Sequence, residues 1–219
     1  MNCPLCNHEK SVLFHKDIHR EYKKCPQCAL VFVPEEQRLT PEKEKAIYDL
    51  HQNHPHDPGY RKFLSRLFDP IAERVQPGAK GLDFGSGPGP TLSIMFEEAG
   101  YDMALYDIFY TDDPTVLQKE YDFISCSEVV EHLFQPGEVI NTLFSMLMPG
   151  GVLGIMTKLV IDQDAFAGWH YITDPTHVCF FSKETFHWLA DLNGYALDLF
   201  GKDVILLQKP VISTRADIF

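Results

Sequence analysis

The chain lacks any run of about 18 apolar residues, the length a helix needs to cross a bilayer, so no membrane span is expected. It is also short of positive charge. With 19 Lys and Arg against 31 Asp and Glu, the net charge is -12. So acidic a chain repels phosphate backbones, which disfavours nucleic acid as a partner. The first residues, Met1-Asn2-Cys3-Pro4, lack the basic and apolar stretches of a secretion signal, and a cytoplasmic protein is expected. Internal repeats and low-complexity segments are absent. What remains is a chain of 219 residues, 45% hydrophobic, enough for one α/β domain and a small appendage.

Cysteine is sparse but clustered. Of the 6 cysteines, four form the pairs Cys3-x-x-Cys6 and Cys25-x-x-Cys28, on either side of residues 7–24. Two such pairs are the signature of a closed tetrahedral zinc site, whose role is structural. Disulfides are the rival reading, and the missing secretion signal weighs against them. A piece this short cannot bury enough core to fold without the metal. Cys126 and Cys179 read as small buried hydrophobes.

The most informative stretch runs from Gly81 to Asp107. An apolar run ends in Asp83, the loop Gly85-Ser86-Gly87-Pro88-Gly89 follows, then a helical pattern, then a second apolar run ending in Asp107. That is strand, glycine loop, helix, strand and acid, half of a nucleotide-binding α/β domain. The glycines are spaced G-x-G-x-G, and Pro90 stands where a dinucleotide fingerprint has its third glycine. Proline there suits a first helical turn. A carboxylate at Asp107 is placed to accept both hydroxyls of a ribose.

This pattern resembles the first motif of the class I S-adenosylmethionine-dependent methyltransferases. The resemblance continues through Tyr121–Leu133, similar to that family's fourth strand and following helix start, and through Met148-Pro149-Gly150-Gly151, similar to its turn into strand five. It covers 68–210. It implies a Rossmann-like sheet, mostly parallel with the last strand antiparallel, carrying a small N-terminal zinc ribbon. It also implies roles: Asp83 and the backbone of Gly85, Ser86 and Gly87, with Gly89 in the same loop, for the methionine part of the cofactor; Asp107 for the ribose; Ile108 against the adenine; Ser127 and Glu128 below it. One departure is visible. Only residues 108–121 separate Asp107 from Asp122, so the family's third strand must be short or missing. Asp112 and Asp113 are the polar residues left near the adenine amine.

The expected organisation is a zinc ribbon over 1–34, a helical cap over 35–76, the S-adenosylmethionine-binding domain over 77–210 and a loose tail over 211–219. Thr40-Pro41 starts a helix that fades in the turn-rich, histidine-containing segment 51–59. Tyr48, His51 and Tyr60 are candidates to close over the cofactor. An apolar stripe over 60–75 predicts a helix packed on the sheet. Strands are expected at 80–84, 102–106, 121–126 and 151–157, helices at 90–99 and 136–147, a helix from Ser182 to Asn193, and a terminal hairpin over 195–208.

Ligands of open α/β sheets bind beyond the carboxyl ends of the strands. Segment 165–182 follows strand five and is dense in aromatics and histidines, which makes it the candidate acceptor site. Trp169, Tyr171 and Phe180 are expected as an aromatic wall, and His177 or His170 as general base. Glu131 and His132 are expected to anchor the helix after strand four. The reading that follows is methyl transfer from S-adenosylmethionine to a small-molecule acceptor. Its rivals are a methyltransferase that grips RNA or protein through the ribbon, and a catalytically silent binding module.

Overall fold

The computed structural model describes residues 1–50 and 54–211. The expectations for His51 and for the tail beyond Val211 lie outside the described residues.

The N-terminal segment forms β1 (Val12–Lys16), β2 (Glu21–Lys24) and β3 (Val31–Phe32). Helices α1 (Pro41–Tyr48) and α2 (Pro58–Ala72) follow. Proline opens both, where a missing N–H is harmless. Asp57 caps α2 by accepting from Tyr60 N at 2.7 Å. The core then runs β4 (Lys80–Phe84), α3 (Thr91–Glu98), β5 (Asp102–Tyr106), β6 (Tyr121–Ser127), α4 (Pro136–Met146) and β7 (Leu147–Met156). It ends with α5 (Gln163–Ala167), β8 (Cys179–Phe180), α6 (Lys183–Asn193), β9 (Ala196–Phe200) and β10 (Val204–Gln208).

The large sheet has the order β5-β4-β6-β7-β10-β9. Strands β5, β4, β6 and β7 are parallel, and β10 is antiparallel to both β7 and β9. Among the described residues the family's third strand is missing, as the short connection predicts. Between β5 and β6 the described chain makes only an isolated bridge, Asp107 to Thr111, and a 3-10 turn at Val116–Gln118. β5 is therefore the edge of the sheet, and the acid at its end borders the ligand crevice. One sheet face packs on α2 and α3 through Leu64, Leu67, Phe96 and Phe123. The other packs on α4 and α6 and merges with the N-terminal segment. Ser182 closes a capping box with Thr185, and Gly194 ends α6 in the left-handed conformation. Among the described residues no helix is long and apolar enough to cross a membrane.

The second sheet has the order β1-β2-β3-β8. Its last strand comes from far along the chain. Val31 pairs Phe180 and Phe32 pairs Cys179, and Val33 N donates to Val178 O at 2.9 Å. The sequence reading contains no β8, because two residues inside a continuous apolar run show no alternation to read.

Candidate active site

The loop after β4 bends because two glycines take left-handed conformations that other residues adopt only at a cost. Gly85 has φ 75 and Gly87 φ 64. A Cβ on Gly85 would also meet Val129 Cγ2 at 2.4 Å. Gly85 N and Ser86 N donate to Tyr106 O at 2.8 and 3.2 Å, which ties the loop to the end of β5. Asp107 completes the bend. Its Oδ2 accepts from Gly87 N at 2.9 Å, and its Oδ1 from Phe109 N at 2.9 Å and Tyr110 N at 3.2 Å.

A cavity of about 760 Å³ opens above this bend, within the range of roughly 300–1,000 Å³ usual for small-molecule sites. Gly85, Ser86, Gly87, Asp107, Ile108, Ser127, Glu128 and His177 all border it, so the structure brings most of the sequence-named residues to one wall. Ile108 is 66% exposed, an apolar side chain free to meet a ring. Ser86 Oγ is buried and has no hydrogen-bond partner. Buried hydroxyls are nearly always partnered, so this atom fits a site that a polar ligand completes.

Three named residues lie elsewhere. Gly89 does not border the cavity. Asp83 sits beneath the loop, where its Oδ1 accepts from Ser125 Oγ at 2.8 Å. It also accepts from the backbone of Ser93. Pro90 precedes α3 and has no side-chain oxygen to cap it, so Asp83 supplies the acceptor from below. His170 is exposed on a 3-10 turn and pairs with Lys158 Nζ at 2.8 Å. The expected aromatic wall is also turned away: Trp169, Tyr171 and Phe180 do not border the cavity. Trp169 and Phe180 pack on Phe166, which meets Tyr22 of β2 at a centroid distance of 5.1 Å. Their large rings complete the seam with the N-terminal sheet.

The other residues that line the cavity include Tyr48, Tyr60, Phe63, Phe109 and Phe134. They come from α1, α2 and the turns after β5 and β6. Of these, Tyr48 and Tyr60 were marked by the sequence as possible closers. Nothing in the local sequence distinguishes the others from core. Tyr48 donates to Glu44 Oε1 at 2.6 Å, and its ring meets His132 edge-on at 5.3 Å.

Below the cavity lies a buried acidic and histidine cluster. Glu128 closes β6 with φ 52, a left-handed conformation that costs about 1–2 kcal/mol in a non-glycine residue. Glu131 is wholly buried. Tyr171 donates its hydroxyl to Glu131 Oε1, and lies 3.5 Å from Glu128 Oε2. Burial above all, together with charge coupling in this acidic cluster, pushes Glu128 up to about 8 and Glu131 to about 7. Burial and the neighbouring His132 hold His177 down at about 4. His177 is therefore neutral near pH 7, a lone-pair donor but a weak proton acceptor. As the general base that the sequence suggests, it would be neutral and ready to accept a proton, but a weak base.

Asp83 yields a stability prediction. Burial raises its carboxyl from 3.8 to about 6. The folded state then holds this proton more tightly than the unfolded chain, so stability falls as pH rises from about 4 to about 6 and is level above. At about 1.4 kcal/mol per pH unit, the loss is about 3 kcal/mol. Between pH 4 and pH 7.5, urea unfolding should show the wild type losing about 3 kcal/mol more than Asp83→Asn, the other titrating groups being common to both. Equal pH dependence would mean Asp83 ionises as freely folded as unfolded.

The N-terminal cysteines also converge. Cys3 and Cys28 Sγ lie 3.5 Å apart, as do Cys6 and Cys25 Sγ, and all four sulfurs fall within 4.8 Å of one another. No disulfide joins them. Each pair sits in a similar knuckle: Asn7 N donates to Cys3 O and Ala29 N to Cys25 O, and Asn7 and Ala29 both have φ 59. Zn–S bonds of about 2.3 Å put tetrahedral sulfurs a little under 4 Å apart, so the donor set fits zinc.

Comparison with known proteins agrees with this geometry. The O-methyltransferase of ubiquinone biosynthesis from Pseudomonas savastanoi pv. phaseolicola is 30% identical over 71 residues, covering 32% of this chain and 31% of that protein. The same enzyme from Pseudomonas entomophila is 28% identical over 71 residues. The matched stretch is thus about a third of these curated relatives' length. In fold, the chain is similar to a SAM-dependent methyltransferase from Archaeoglobus fulgidus, with TM-score 0.53 and 18% identity over 68% of this chain and 94% of that one. It is also similar to magnesium protoporphyrin IX methyltransferase from Synechocystis, with TM-score 0.50 and 14% identity over 78% and 91% of the two chains. A methyltransferase-domain family model matches residues 55–199, from the start of α2 through the glycine bend to β9. By that match, and with the sheet order and crevice just described, the chain belongs to the methyltransferase-domain family.

Proposed function

We propose that the chain methylates a small-molecule acceptor with S-adenosylmethionine as donor. The observation that carries the reading is the placement of Asp107, the Gly85–Gly87 bend and the orphaned Ser86 hydroxyl on one wall of an aromatic cavity. The two Pseudomonas relatives named as O-methyltransferases favour oxygen as the atom methylated. The net charge of -12 weighs against an RNA acceptor, and a half-open cavity of about 760 Å³ lined by aromatics suits a compact, largely apolar molecule better than a polymer.

When bound, the donor supplies a methyl group already activated on a sulfonium, leaving as the thioether S-adenosylhomocysteine. The protein's part is placement. Gly85 and Gly87 let the backbone approach the methionine end closely. Asp107 would exchange its present backbone partners for ribose hydroxyls, and Ile108 would meet the adenine. Glu128 and Ser127, at the end of β6, would line the pocket floor. Phe63, Phe109 and Phe134 would exclude water and hold the acceptor in line with the methyl. Zinc in the four-cysteine site would brace the ribbon and take no part in transfer.

Isothermal titration of S-adenosylmethionine into Asp107→Ala is expected to show binding at least 100-fold weaker than wild type, about 2.7 kcal/mol. A hydrogen bond to a charged group contributes about 1.5–3 kcal/mol, and this carboxylate offers two. An unchanged affinity would place the ribose elsewhere. Absence of any binding by the wild type would leave a silent module.

A further inference from the structure

We propose, on the methyl-transfer reading above, that Glu44 makes the aromatic cavity selective for acceptors that carry a protonated amine. Glu44 belongs to α1, which precedes residues 55–199, the part matched by the methyltransferase-domain model. The helix thus lies outside the shared domain, yet it brings Pro41, Glu44 and Tyr48 to the cavity lining.

Glu44 is only 8% exposed. A buried carboxylate is costly unless a cation meets it. Among the described residues no Lys, Arg or His makes an ion pair with Glu44. Burial accordingly raises its carboxyl above the usual carboxylate range, and the Tyr48 hydroxyl offsets only part of that. Tyr48 donates to Oε1 at 2.6 Å. A carboxylate accepts several further bonds, and a ligand in the cavity is placed to donate them.

The rest of the lining selects the charge of that ligand. Besides Glu44 it includes Asp107, Glu128 and Asp174, and among the described residues no Lys or Arg. Basic side chains that touch its rings are held elsewhere. Lys45 lies over Tyr110 but pairs with Asp49 at 2.8 Å. Arg38 lies over Phe134 but donates to Val33 O and Phe134 O. An anionic acceptor would therefore enter among carboxylates with no cation to receive it. An ammonium meets the opposite: the Glu44 carboxylate beside Tyr48, whose ring stands 5.8 Å from that of Phe109. Aromatic faces attract cations. With Asp107 on the ribose and Glu128 beside the donor, Glu44 and Asp174 are left for the acceptor. The amine is a handle for binding. The hydroxyl that receives the methyl stands at the other end of an apolar body.

The test compares probes that share a phenol body and differ in charge: tyramine, a cation; 4-ethylphenol, neutral; and 4-hydroxyphenylacetate, an anion. Each is titrated calorimetrically into the full-length protein saturated with S-adenosylhomocysteine. Tyramine is expected to bind about tenfold tighter than 4-ethylphenol, and the anion most weakly. Glu44→Gln keeps the shape and removes the charge, so it should bring tyramine to the level of 4-ethylphenol. Glu44→Asp should keep part of the preference. Titration of S-adenosylhomocysteine alone into each protein checks that it is folded and tests the donor site separately. If Glu44→Gln does not fold, the wild-type ranking decides. Tyramine binding no tighter than 4-ethylphenol, or not binding at millimolar concentration, overturns the proposal. So does a folded Glu44→Gln that keeps the wild-type ranking. Either result leaves the donor reading intact, whereas a wild type that does not bind S-adenosylhomocysteine defeats that reading and the amine selectivity with it.

Discussion

Replacing Arg20 with methionine is expected to cost about 3–4 kcal/mol of folding stability, a large effect for one residue outside the main sheet. Arg20 is 8% exposed and lies at the start of β2. Its guanidinium donates to four backbone carbonyls: Ile172 O at 2.6 Å, His177 O at 2.9 Å, Asp174 O at 3.0 Å and Pro175 O at 3.2 Å. It also stands 5.4 Å from the centre of the Tyr22 ring. Among the described residues no carboxylate makes a direct ion pair with this charge, though Asp17 feels it from further off. The carbonyls of one loop solvate it, and it in turn ties four of them to one point. A hydrogen bond to a charged group is worth about 1.5–3 kcal/mol, and carbonyls left bare in the interior cost more than the bonds themselves. The total stays below the sum because Asp174 and Pro175 are near enough to solvent for water to replace part of the loss. Methionine keeps the apolar stem, so the loss reports the charged head alone. Urea unfolding measures it. A loss below about 1 kcal/mol would mean the loop holds its shape without the arginine.

The parallel core was legible because its signals are local. Lys80–Phe84 and Asp102–Tyr106 are strands within the limits that turn and apolar patterns set. The missing third strand followed from arithmetic, since residues 108–121 leave too little chain for a crossover. β7 begins earlier than expected, at Leu147 instead of 151, because Leu147 pairs with Tyr121 across a register shift. The acceptor side was less legible, for a physical reason. Trp169, Tyr171 and Phe180 follow strand five, as a cavity wall would, but an aromatic residue does not show in sequence which neighbour it faces. Here the neighbour is Phe166 and, through it, Tyr22 of the N-terminal sheet. Glu131 and His132 read as helix anchors for the same reason. Only the fold brings His177 to them, with ring centroids of His132 and His177 4.7 Å apart.

With zinc in the four-cysteine site, as proposed above, loss of the ion should destabilise the whole protein, not the first residues alone. The comparison is the wild type against Cys25→Ser, with zinc measured by mass spectrometry and unfolding by calorimetry. Short four-cysteine modules without metal are unfolded, because the ion supplies most of their folding free energy. Here the sheet built on that module continues into β8, and its buried Tyr22, Leu30 and Phe32 share one core with Phe166, Phe180 and Phe181. Unfolding of the module strips one side from those three rings. Complete burial of such a side chain is worth about 1.5–3 kcal/mol, so partial exposure of three costs about 4 kcal/mol. In a chain of this size that lowers Tm by about 8–16 °C. Arg20 would leave its four carbonyls in the same event, so the Gly85–Gly87 bend, built on β4 and β5, should outlast the His177 loop. A zinc-free variant that melts with the wild type would show the reverse: a module that rides on the domain and holds nothing in place.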